Sequence, residues 1–77
     1  MKEKRVKIVE EKTGLYRYVY FQDEVSLSDL QARLSEFLAK FGSGFATLIY
    51  LVWCANSVDE VVELAKAYDV IITIKEG

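Results

Sequence analysis

The run Phe45 to Ala55, FATLIYLVWCA, places eleven residues without a charge in the middle of a 77-residue chain. A strand open to water on one side alternates apolar with polar residues. A run apolar throughout reads as a strand covered on both faces. It is too short to cross a bilayer as a helix, which needs about 20 residues. The run is therefore expected to be a central strand. A chain this short has material for a sheet and a pair of helices, which cover one face, so the second face is expected to meet another molecule.

Length sets one domain, 1–77, near the lower limit for a self-sufficient core. A hydrophobic share of 52% offsets the small size. Net charge is −2 and the isoelectric point about 5.0, which argues against a general nucleic-acid or anionic-membrane role. One cysteine, Cys54, excludes an intramolecular disulfide, and a reducing cytoplasm is the expected compartment. The segment MKEKRVKIVEEK has no apolar stretch of the kind a secretory signal needs. Histidine and proline are absent, which removes the commonest general base and metal ligand at neutral pH.

Val6 to Val9 and Leu15 to Phe21 read as two strands joined at Glu11-Lys12-Thr13-Gly14. A three-residue loop, Lys12 to Gly14, with glycine left-handed, places Ile8 across from Tyr18 and Val6 across from Tyr20. The Tyr16, Tyr18, Tyr20 row then shares the core face with Val6 and Ile8 and meets Leu30, Leu34 and Phe37. Arg5, Lys7 and Arg17 lie outside among Val9, Leu15, Val19 and Phe21. A slip of one residue would bring Arg17 beside Val6 and Ile8, at a cost in desolvation.

Ser26 opens a helix: Ser26 and Asp29 have capping-box spacing, and Val25 and Leu30 staple spacing. Leu27, Leu30, Leu34, Phe37, Leu38 and Phe41 recur at helical intervals, and Gly42 ends the helix. After the central strand, Ser57 and Glu60 cap a second helix ending near Tyr68, and Val70 to Ile74 is the last strand. The expected fold is α+β, a two-layer sandwich of order ββαβαβ, with a four-stranded mixed sheet and two helices on one face.

No grouping carries chemistry. Gly42-Ser43-Gly44 lies between a helix and a strand, the reverse of a phosphate-binding loop, and reads as a turn. Cys54 has no histidine to activate it and reads as packing. Asp59, Glu60 and Glu63 fit the acid preference of a helix start. No catalytic residue, cofactor or metal is expected. The candidate contact surface is the second sheet face: Arg5, Lys7, Val9, Arg17, Val19 and Phe21 from the hairpin, with Ile71 from the last strand. The central strand adds Ile49, Leu51 and Trp53, or in the other orientation Leu48, Tyr50 and Val52. Such a patch exceeds the apolar surface usual on monomers, and pairing of two copies through the sheet face is the simplest cover. Arg5, Lys7, Arg17 and Phe21 also suit single-stranded nucleic acid, a weaker alternative given the acidic isoelectric point.

The layout resembles a β-grasp domain, and more closely the PB1 protein-interaction domain. The similarity rests on Lys7 in RVKIV, the helix Ser26 to Phe41, and Ser57-Val58-Asp59-Glu60 before VIITI. It implies a non-enzymatic interaction module. Only the basic half, Lys7 with Arg5 and Arg17, carries over, because no D-x-D-G-D-type hairpin exists here. The short loops, two capping boxes and well-placed glycines also resemble an idealised α/β protein built by design, which would imply a scaffold without biological function.

Overall fold

The computed structural model describes residues 3–76. Strand β1 (Glu3–Glu10) forms a hairpin with β2 (Tyr16–Gln22). Three helices follow, α1 (Leu27–Ala39), α2 (Ala46–Cys54) and α3 (Val58–Ala67), and the chain returns as β3 (Val70–Glu76). The sheet has three strands in the order β2-β1-β3, antiparallel throughout. The architecture is α+β of order ββαααβ, so the expected four-stranded mixed sheet of order ββαβαβ is incorrect.

The difference lies in the apolar run. Phe45 to Ala55 is not a strand: a 3-10 turn over Gly42–Phe45 leads directly into α2. Without a charge, and with Thr47 its one aliphatic hydroxyl, the run carries neither the period of two nor that of 3.6, so its pattern suits a buried strand and a packed helix equally. Packing makes the choice. Leu48, Val52 and Ala55 fall one turn apart and are buried. Gln31 of α1, itself buried, donates from Nε2 to the carbonyls of Val52 (2.9 Å) and Ala55 (3.2 Å). The Val52 carbonyl also accepts the Ala55 amide at 3.2 Å, so Gln31 is its second donor, and the two Gln31 bonds tie the end of α2 to α1.

Both capping residues act as the sequence implies. Ser26 accepts from the Asp29 amide at 3.5 Å and Ser57 from the Glu60 amide at 3.1 Å. Gly42 is left-handed beyond α1, with φ +73°.

The hairpin register differs from the expected one by one residue. Val6 pairs with Val19, Ile8 with Arg17 and Lys7 with Tyr18. The loop has four residues, Glu11 to Gly14, closed by Gly14 N–H donating to Glu10 O at 2.8 Å. Glu10 selects it. The residue is 2% exposed, and its carboxylate accepts the Thr13 hydroxyl at 2.6 Å, with the amides of Lys12 and Thr13 at 2.9 Å each. The Thr13 hydroxyl, ahead of the two amides, holds this carboxyl below its usual range, against an opposing push from burial.

This register turns Val6, Ile8, Val19, Phe21, Val70 and Ile72 toward the helices, where they join Leu30, Leu34, Leu38, Leu48 and Val61 in the core. Arg17 accompanies them on the helix side. Because β2 is an edge strand, the guanidinium reaches the rim and meets Glu36 of α1 at 3.6 Å. The desolvation cost that argues against this register is thereby largely avoided.

Candidate sheet-face binding site

Alternation along the three strands places Glu3, Arg5, Lys7 and Val9 of β1 on the side away from the helices. Tyr16, Tyr18, Tyr20 and Gln22 of β2 share that side, with Ile71, Thr73 and Lys75 of β3. The tyrosine row is therefore exposed, not packed on Leu30, Leu34 and Phe37, and its phenols need no buried partners. Cross-strand neighbours Val9 and Ile71, both half-buried, form the small apolar floor at one end.

The tyrosines make a continuous aromatic strip. Tyr16 and Tyr18 meet edge to face with centroids 5.6 Å apart, and Tyr18 and Tyr20 stack at 6.5 Å. Cations from the neighbouring strand lie over these rings. Arg5 sits 5.5 Å from the Tyr18 centroid, and Lys7 Nζ sits 5.1 Å from Tyr16 and 5.8 Å from Tyr18. Lys75 stands across from Arg5, and a shallow depression of about 240 Å³ is bounded by Arg5, Lys7, Tyr18, Thr73 and Lys75. Among the described residues the face holds three cations and one carboxylate, Glu3, although acids outnumber bases twelve to ten over the chain. Charge is thus segregated: a basic, aromatic plane on an acidic protein.

The ten residues expected to form one surface are divided by the structure. Arg5, Lys7, Val9 and Ile71 occupy the open face. Val19 and Phe21 are buried beneath the helices, and Arg17 lies on the helix side at the rim. Ile49, Leu51 and Trp53 belong to α2, in the helical layer on the other side of the sheet; the first two are half-buried and Trp53 is 51% exposed. The alternative set divides as well, with Leu48 and Val52 buried and Tyr50 exposed. Lys75, Thr73 and the tyrosines are the residues that sequence reasoning missed on the open face. The signal was present: three tyrosines in the core would have required three buried hydroxyl partners.

Among the described residues, no three histidine, cysteine, aspartate or glutamate side chains group as metal ligands would, and no helix is long and apolar enough to cross a membrane. Cys54 is exposed at the end of α2. Comparison with known families, characterised proteins and solved structures finds no match to this chain, so nothing identifies it as a β-grasp or a designed protein.

Proposed function

We propose that the protein is a non-enzymatic binding module whose open sheet face takes single-stranded nucleic acid. The observation that carries this reading is the exposed row Tyr16, Tyr18, Tyr20 interleaved with Arg5, Lys7 and Lys75. Aromatic rings stack on bases of any sequence, and adjacent cations follow the phosphates. Residues two apart along a strand repeat at about 6.8 Å, so the rings form an evenly spaced ladder. Face-to-face pairing of two copies, the use that the apolar run suggests, is opposed here. It would bring Arg5, Lys7 and Lys75 against their own duplicates, and Val19 and Phe21 are committed to the core.

The test is titration of a labelled mixed-sequence oligonucleotide beginning at about 50 mM salt, where electrostatic binding is strongest. Affinity should fall with salt at a logarithmic slope of about −2, as three phosphate contacts at about −0.7 each require. Lys7→Glu should weaken binding and flatten that slope. Absence of binding at low salt, or binding indifferent to Lys7→Glu and Tyr18→Ala, would overturn the proposal. Capture of an acidic peptide in place of the oligonucleotide would reassign the face to a protein partner.

A further inference from the structure

We infer that the outer edge of β2 pairs with the same edge of a second copy, giving a dimer with a two-fold axis beside Tyr18. This pairing is independent of the ligand on the sheet face. Backbone bonds define the edge. Glu10 N–H donates to Leu15 O at 2.9 Å, and bonded pairs alternate along an antiparallel ladder. Arg17, Val19 and Phe21 therefore exchange bonds with β1, whereas the N–H and C=O groups of Tyr16, Tyr18 and Tyr20 point outward. These three tyrosines are exposed, and a groove of about 440 Å³ runs along that edge from Arg17 to Phe21, with Asp29 and Arg33 of α1 as its other wall. Such a row of unused donors and acceptors is a template for another strand.

Charge selects the occupant. Helix α1 runs back along β2: Asp29 and Arg33 line the groove beside Arg17 to Phe21, and Glu36 meets Arg17. Asp29, Arg33, Glu36 and, one turn on, Lys40 make a stripe that reads minus, plus, minus, plus. Reversed, the stripe reads plus, minus, plus, minus. A two-fold axis between Arg33 and Glu36 thus sets Arg33 of each copy against Glu36 of the other, and Asp29 against Lys40. The self-complementarity an isologous contact requires is built into one helix.

Strand and helix agree on the position of the axis. The midpoint of the stripe lies about 2 Å, less than half a helical turn, before Glu36. That displacement is under one strand residue of about 3.3 Å, which carries it from Arg17 toward Tyr18. Centred there, Tyr16 pairs with Tyr20 of the second copy and Arg17 lies opposite Val19 of the second copy. No like charges meet. An inward-pointing charge on an edge strand normally discourages pairing, but Arg17 is already matched by Glu36. The resulting six-stranded sheet leaves the basic face open and doubles its tyrosine strip.

Sedimentation equilibrium of the full chain at about 50 μM tests this, since an edge contact of modest area gives micromolar association. The expected mass is twice the 8.8 kDa of the chain. Lys40→Asp alone and Asp29→Lys alone should each be monomeric, because each sets like charges across the axis while leaving the Arg17–Glu36 pair in place. Mixed in equal amounts, the two variants should recover the dimer. One variant is then acidic at both positions and the other basic at both, so each contact across the axis again joins opposite charges. Tyr18→Pro removes an outward N–H without breaking a bond to β1 and should also give a folded monomer. A monomeric wild type would overturn the inference, as would a dimer that survives these variants, which would place the contact elsewhere, for example on Tyr50 and Trp53 of α2. Monomeric single variants that fail to recover a dimer on mixing would overturn it too.

Discussion

The two faces of the sheet come from the same three strands and share almost nothing else. On the helix side Val6, Ile8 and Val70 are fully buried, with Val19, Phe21 and Ile72 close behind. On the other side, one residue along each strand, stand Arg5, Lys7, Lys75 and three tyrosines at 41–59% exposure. On the proposed function, alternation alone separates stability from recognition. Side chains on one face should move the unfolding midpoint and leave the other face's affinity intact, and the reverse should hold across the sheet.

The sharpest way to break this comparison is Ile8→Ala. Ile8 lies in the central strand at 0% exposure, and the substitution should cost about 2–5 kcal/mol through lost burial and the cavity left behind. Any fraction that remains folded should bind as the wild type does. Val52→Asp should be comparably severe, because it places an unpaired charge in the core, whereas Trp53→Glu on the outer side of α2 should leave the fold intact. Denaturant titration followed by circular dichroism separates the two.

Gln31→Leu comes next. It keeps the volume but removes the side-chain donor to the end of α2, and should cost about 1–3 kcal/mol by taking the Gln31 bond from the Ala55 carbonyl and leaving Val52 with its backbone donor alone. Hydrogen exchange should show the loss first in the amides of α2.

Glu10 gives a pH signature. Its folded-state carboxyl titrates below the unfolded value because the Thr13 hydroxyl and two amides favour the ionised form. Its contribution is therefore fully present above the ordinary carboxylate range and is lost as pH falls through the lowered folded value. Glu10→Gln should lower the midpoint of thermal unfolding at pH 7, and the difference from wild type should shrink in acid. A difference independent of pH would contradict the role given to this carboxylate.

The smallest stability effects belong to the open face. Lys7→Glu and Tyr18→Ala should each stay within about 1 kcal/mol of wild type, the scale of exposed cross-strand pairs. A large loss of stability in either would make the strip a structural feature and weaken its reading as a binding surface.

Much of the fold is legible in the sequence, for reasons that differ along the chain. Caps are local chemistry: Ser26 and Ser57 announce helix starts by what they can accept, and Gly42 announces a helix end by the left-handed turn it permits. The final strand, VIITI, declares itself by branching at Cβ. The apolar run does not, because a segment without charged residues has little to mark one face from another. Its helical state depends on α1 and α3 beside it, and on Gln31 at its end.

The register is hidden for a subtler reason. Burying Arg17 is prohibitive only if β2 is a central strand, and that premise sends the phenols of Tyr16, Tyr18 and Tyr20 into a core without partners. Strand order, a long-range property, reverses the balance: at an edge Arg17 reaches Glu36 and water. The site follows the register. Arg5 and Lys7 are readable from sequence as open-face residues; their tyrosine partners are readable only through the hydroxyl partners a core would have to supply, because one residue of slip moves them across the sheet.

The most direct measurement is a heteronuclear NMR titration of the labelled protein with a short single-stranded oligonucleotide at low salt. Amides of Arg5, Lys7, Tyr16 to Tyr20, Thr73 and Lys75 should shift together and saturate with one affinity, while those of α2 and α3 stay in place. Shifts gathered on the exposed side of α2, around Tyr50 and Trp53, or no shifts at all, would contradict the assignment of the open sheet face as the binding surface.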